Sequence, residues 1–401
     1  MILTKYNLFF LQALIIHVFI NISWSRFVDH SIFTRNENVD IKYIPKGKFK
    51  HNDILFSSNF TIIKYMSDDE KNNLKEELED MVGISAETDS ENFSFYDQLN
   101  DDEKKIYDIL RSKSSQNPPE YEIDVKITGI TTDLQTYYYD MYNRLEKVFT
   151  VLAYENPDLW WIGDIALCAY QGDENNSLVF TFFIISEESN FYSIINQIPS
   201  INKEISEEGN KIINYIKQIG LTTEYSILRY IHDYLITKNV YKLDNSLMHI
   251  RTLYGGLVEG MCVCEGYAEA FQYLANFFNI NCIIARSSSH EWNFVELNGK
   301  WYVLDVTYDD PTIPGMDISS GKNGNLQLDY FLTGTEHVSQ LNYPKYTEDS
   351  AHTLVYTAYG TGNKVISYPT LEKEDYVPTE KEKNELDLID FTFPEINSPG
   401  N

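Results

Sequence analysis

Asn298-Gly299 constrains the fold of this chain more than any other residue pair. Asn and Gly both tolerate the positive φ that the two-residue turn of a β-hairpin requires, and this pair is the strongest short hairpin signal. Trp292 to Leu297 and Trp301 to Val306, on either side, are rich in aromatic and β-branched residues and read as its two strands. Counting outward from Leu297 opposite Lys300, His290 faces Thr307 and Asp305 faces Trp292. His290 and Asp305 are then diagonal neighbours on one face of the pair, within reach of a side-chain contact. A carboxylate in that position fixes the tautomer of an imidazole and stabilises its cation.

A cysteine completes a chemically meaningful order. Cys264 lies in Gly260-Met261-Cys262-Val263-Cys264-Glu265-Gly266, ahead of a helix expected over Gly266 to Phe278. A helix start carries partial positive charge and free N–H donors, which would lower the pKa of a thiol and could stabilise an oxyanion. Cysteine, histidine and aspartate in this setting suit the roles of nucleophile, base and orienting acid. A buried cysteine, a strand-capping histidine or a turn aspartate accounts for each residue alone but not for the three together. Cys262 is the rival nucleophile, further from the helix start. A zinc site built from Cys262, Cys264 and His290 lacks the paired ligand spacing such sites use, so no metal and no cofactor is expected.

The chain has 401 residues, 43 % hydrophobic and 14 % aromatic, enough for a sizeable core. A formal charge of −28 argues against electrostatic binding of nucleic acid or anionic membrane. Lys5, the apolar run Leu8 to Ile20 and the small residues around Ser23-Trp24-Ser25 read as a signal peptide over 1–25, cleaved before Arg26. The expected protein is therefore secreted and extracellular, with no membrane span left after cleavage. The four cysteines are too few for a disulfide scaffold; Cys168 with Cys282 is the least strained pairing if one forms.

Residues 26–90 form an N-terminal extension with short extended segments, and Ser67-Asp68-Asp69-Glu70 opens an acidic helix. Residues 91–199 are mixed helix and strand. Asn100-Asp101-Asp102-Glu103 starts one helix, Tyr137 to Leu152 is another, and Trp160 to Tyr170 and Leu178 to Ile185 are strands. The core spans 200–345, with helices over Ile201 to Ile219 and Thr222 to Thr237; His232 on the second reads as a surface or core histidine rather than a catalytic one. Residues 346–401 end in a charged stretch from Leu371 that reads as a flexible tail.

Ile231-His232-Asp233-Tyr234-Leu235, Tyr254-Gly255-Gly256-Leu257, Val263-Cys264-Glu265-Gly266-Tyr267-Ala268, His290-Glu291-Trp292-Asn293 and Asp305-Val306-Thr307-Tyr308-Asp309-Asp310-Pro311 resemble the transglutaminase-like superfamily of papain-type thiol enzymes, in its secreted microbial branch. The chain departs from that pattern at Glu291, where alanine is usual, and at Tyr308, where tryptophan is usual. The resemblance implies an α+β fold: a papain/transglutaminase-like core whose nucleophile helix packs on an antiparallel sheet, after a mixed α/β N-terminal region. It implies Cys264 as nucleophile, His290 as base and Asp305 as orienting acid. The implied activity is acyl transfer from a protein or peptide amide, through a thioester, to an amine acceptor (cross-linking) or to water. The competing expectation is a non-catalytic extracellular or cell-wall-associated binding protein that keeps the fold.

Overall fold

The structure, a computed structural model, describes residues 39–79, 87–88, 93–185, 195–244, 246–247, 249–310, 326–360 and 362–389. The expected signal peptide lies outside them. No described helix is long and apolar enough to cross a membrane.

In chain order the elements are β1 (Asp40–Ile44), β2 (Ile54–Phe60), α1 (Asp68–Glu79), β3 (Glu87–Thr88), α2 (Asp101–Ser114), β4 (Glu122–Thr128), α3 (Leu134–Glu155), β5 (Asp164–Gln171), β6 (Leu178–Ile185), α4 (Ile198–Ile219) and α5 (Glu224–Lys238). There follow β7 (Val240–Tyr241), β8 (Met261–Cys262), α6 (Cys264–Asn276), β9 (Cys282–Arg286), β10 (Glu291–Leu297), β11 (Lys300–Leu304), β12 (Phe331–Thr333), β13 (Tyr368–Pro369) and α7 (Glu380–Leu386). Two antiparallel sheets dominate: five strands in the order β1-β4-β6-β5-β2 and four in the order β12-β11-β10-β9. The fold is α+β, and among the described residues one continuous core joins both sheets and most of the helices, while Leu74 of α1 packs with Ile63 and Val355 in a second small cluster.

Local sequence explains most boundaries. Asn100 caps α2 and closes a reciprocal capping box with Glu103. The Ile106, Tyr107 and Leu110 stripe of α2 is buried. Asn298 and Gly299 turn the β10–β11 hairpin with φ of 54° and 76°, and Leu297 pairs with Lys300 as the turn dictates. Strand β4, which the sequence did not announce, alternates charged and β-branched residues and supplies the fully buried Ile123, Val125 and Ile127.

The helix α6 seats against the four-stranded sheet. Asn293 Nδ2 on β10 donates to Ala268 O at 3.1 Å. Gln272 Nε2 donates to Tyr154 O at 2.7 Å and to Cys282 O at 3.2 Å, tying α6 to α3 and β9. On its other flank, a Cβ on Gly256 would stand 2.1 Å from Gly266 O. Only glycine lets the 255–259 helical turn come so close to α6.

Three expectations need correction. Cys264 is the first residue of α6 and does not precede it. All four cysteines are free, with Cys168 on β5 of one sheet and Cys282 on β9 of the other, so the pairing of these two is not made. Residues 371–389 are not a tail. Thr379 and Glu382 form a capping box for α7, and Glu385 accepts from the Thr222 and Thr223 amides, both at 2.9 Å, at the start of α5. The acidic composition reads as disorder, yet a carboxylate suits the positive start of a helix, and Glu385 adds to the Thr223 cap already on α5.

Candidate functional site

The turn between β9 and β10 fixes the first of the expected site residues. Ser287 Oγ accepts from the amides of Ser289 (3.2 Å) and His290 (2.9 Å), and Ser287 N donates to His290 O at 2.9 Å. His290 therefore enters β10 with its main chain pinned and its ring stacked on Trp292 at 5.7 Å. Its Nε2 lies 2.6 Å from Asp305 Oδ2, the contact that the hairpin register predicts. The other carboxylate oxygen, Oδ1, accepts from the amides of Thr307 (3.0 Å) and Tyr308 (3.1 Å). Burial would raise the Asp305 carboxyl, but His290 and His352 outweigh it and hold the group well below the ordinary carboxylate range.

His352 is the partner that the sequence did not offer. Its Nε2 lies 3.0 Å from the same Asp305 Oδ2. Its Nδ1 stands 3.2 Å from Asp349 Oδ2, off the line of a straight hydrogen bond, which makes that side a charge contact. The one signal for it in the sequence is Asp349 three residues earlier, which caps the short turn Ser350–His352 through Ala351 N at 2.9 Å. The donor atoms of His290, Asp305 and His352 fall within 4.8 Å of one another. Both imidazoles approach Asp305 Oδ2 at hydrogen-bond length. The group is a hydrogen-bonded cluster.

Cys264 is 4 % exposed and lies beside this cluster. Its Sγ donates to Glu265 Oε2 at 3.1 Å, and the amide of Glu291, the residue after His290, favours its ionised form. Among the described residues no hydrogen bond joins Cys264 to His290, whose Nδ1 makes none. The expected lowering of the thiol by the helix start is not what the surroundings produce. Burial, the Glu265 carboxylate and then Glu291 push the Cys264 thiol well above its ordinary value, and the Glu291 amide opposes them. Cys262 is fully buried and also pushed up, by burial first and then by Asp310 and Glu265.

Buried charges pack behind the thiol. Glu265 accepts from Arg251 Nη1 at 2.7 Å. Glu291, the residue in place of the usual alanine, accepts from Arg286 Nε at 2.6 Å across the β9–β10 register. Glu269 accepts from Lys64 Nζ at 2.8 Å and from Leu253 N at 2.7 Å. A second network braces the turn after Asp305. His232 is a buried core histidine satisfied on both sides: its Nδ1 meets Asp233 Oδ1 at 2.8 Å and its Nε2 meets Asp309 Oδ2 at 3.0 Å. Asp309 Oδ1 accepts in turn from Tyr330 N at 2.9 Å.

No protein-family model and no curated protein matches this chain. Among solved structures, the crystal structure of a TGase aligns at 12 % identity with a TM-score of 0.24. The alignment covers 36 % of this chain and 44 % of that one, so the chain spans less than half the length of that neighbour. A likeness of this size carries no argument, and the reading below rests on the residues.

Proposed function

We propose that the chain is a transglutaminase-like thiol enzyme, with a papain/transglutaminase-like core, that transfers an acyl group from a protein or peptide amide. One observation carries the reading. The imidazole of His290 is bonded through Nε2 to a carboxylate whose other oxygen is clamped by two amides, and the amide of the next residue, Glu291, favours the thiolate of Cys264. With Nε2–H given to Asp305, the lone pair of His290 is on Nδ1, the nitrogen left for the thiol.

In the proposed cycle Cys264 turns from Glu265 to His290. Nδ1 takes the thiol proton, and the sulfur attacks the amide carbon. First-turn amides of α6 receive the charge that builds on the carbonyl oxygen. The C–N bond breaks, the leaving amine takes the proton from Nδ1, and a thioester remains on Cys264. A primary amine or water then gives a proton to Nδ1 and attacks the thioester, releasing an amide or an acid and restoring the thiol. The protein would act outside the cell after loss of residues 1–25.

The burial of Cys264 and its contact with Glu265 favour a second reading, a non-catalytic extracellular or wall-associated binding protein that keeps the fold. One experiment separates the two. The secreted protein is incubated with glutamine-containing peptides, with and without a primary amine, and ammonia release and amine incorporation are followed beside iodoacetamide labelling of each cysteine. The enzyme reading expects turnover that Cys264→Ala abolishes and that His290→Ala lowers further than Asp305→Asn, with Cys264 labelled before Cys262 and Cys282. Undiminished turnover in Cys264→Ala would sink it. Absence of both turnover and Cys264 labelling selects the binding protein.

A further inference from the structure

His352 touches neither the thiol nor any atom that the proposed reaction transforms, yet both of its ring nitrogens face carboxylates. Nε2 is 3.0 Å from Asp305 Oδ2 and Nδ1 is 3.2 Å from Asp349 Oδ2. Each carboxylate is already committed as an acceptor. Asp305 takes two amides and His290. Asp349 takes the Ala351 amide at 2.9 Å and the Tyr308 hydroxyl at 3.0 Å. A neutral imidazole would set a lone pair beside one of these oxygens. The imidazolium, with a proton on each nitrogen, bonds Asp305 on one side and faces the Asp349 charge on the other. The surroundings fit a cation. The rings of Trp292, Tyr308, Tyr346 and Tyr330 stand 4.8, 4.8, 5.1 and 5.3 Å from the His352 ring, and its side chain is sealed from water.

We propose that His352 is a standing imidazolium and a positioning residue: by sharing Asp305 Oδ2 with His290, it keeps the Cys264–His290 couple in its neutral thiol–imidazole form. The proposal builds on the acyl-transfer reading. Two cations on one carboxylate oxygen repel, so a proton on His290 costs more while His352 holds one. The titratable groups that face His352 are Asp305 at the end of β11, Asp349 on its own turn, His290 at the start of β10, and Tyr308, Tyr330 and Tyr346 from the flanking segments. Burial works against the charged ring, the two aspartates outweigh it, and the His352 pKa lies above the ordinary histidine value.

The test uses the full secreted chain labelled with ¹⁵N-histidine, the His352 signals being those lost in His352→Gln. At pH 7 both His352 nitrogens should resonate as imidazolium, and in Asp349→Asn that state should give way at lower pH than in the wild type. A neutral His352 at pH 7, or no change in Asp349→Asn, overturns the proposal. The second readout is the iodoacetamide rate at Cys264 against pH. His352→Gln leaves Asp305 undivided for His290, so the thiolate–imidazolium pair forms more readily. The rising limb should move about one pH unit or more to the acid side, roughly tenfold in rate at a pH on the limb. A profile that stays in place overturns the proposal. If Cys264 resists alkylation in every protein, the acyl-transfer reading falls, and the nitrogen signals alone still decide the state of His352.

Discussion

Replacing Lys64 by methionine should strand a carboxylate inside the helix that begins with Cys264. Lys64 Nζ lies 2.8 Å from Glu269 Oε1, and the two side chains are 4 % and 10 % exposed. At an effective dielectric of about 20 the attraction at that distance is roughly 6 kcal/mol. Part of it offsets the cost of removing both ions from water. Once the ammonium is gone, Glu269 keeps the Leu253 amide at 2.7 Å as its one hydrogen-bond donor among the described residues. Breaking a buried pair from one side costs about 3–5 kcal/mol, and that is the loss expected for Lys64→Met. Glu269→Gln alone leaves the ammonium buried against Arg251 O at 3.4 Å and should also destabilise. The double variant should recover at least about 2 kcal/mol of the summed losses. The assay is urea unfolding followed by tryptophan fluorescence. The pH dependence follows from the direction of the lysine shift. Burial lowers the Lys64 pKa, Glu269 outweighs it, and the folded value lies above the ordinary one. Its contribution is therefore complete below about pH 10.4 and lost only at still more alkaline pH, so the Lys64→Met deficit should stay flat from pH 6 to 9. A deficit under about 1 kcal/mol, or strict additivity in the double variant, would refute the view that this pair anchors the helix.

Two further outcomes concern pH. Burial pushes the Asp310 carboxyl up to about 7, against the Tyr267 hydroxyl and His232. Between about pH 4, its unfolded value, and pH 7 the folded state thus holds the extra proton, and stability falls as pH rises through that window. Asp310→Asn should flatten this slope in melting temperatures taken from pH 4 to 8; an unchanged slope excludes the group. Glu385 behaves in the opposite sense. Burial raises its pKa, but the donors of Ser226, Thr222 and Thr223 outweigh burial and bring it to about 2. Its contribution is present above about pH 4.3 and is lost as pH falls toward 2. Glu385→Gln should lower stability at pH 7 and make acid unfolding less steep, and equal acid midpoints would show that α7 does not cap α5.

The parts of the site that could be read in the sequence are those fixed by short-range geometry. Asn298-Gly299 sets a register that carries His290 to Asp305 fifteen residues along the chain, and the capping boxes at Ser67 and Asn100 place their helices for the same local reason. His352 reaches Asp305 across 47 positions and Lys64 reaches Glu269 across 205. No periodicity encodes either contact; tertiary packing alone brings them together. The protonation state of Cys264 shows why a correct local argument can still give the wrong sign. A helix start offers about half a positive charge. Glu265, visible in the sequence as the next residue, sets a full negative charge 3.1 Å from the sulfur once its rotamer turns inward. Burial first, and then this full charge at contact distance, outweigh the helix start. The same carboxylate is held by Arg251 at 2.7 Å through its other oxygen. A rotation that gives Glu265 wholly to Arg251 would therefore remove the largest charge opposing ionisation of Cys264 without breaking the ion pair. One side-chain torsion thus adjusts the rest state of the thiol, beside its burial and the Asp305 carboxylate divided between His290 and His352.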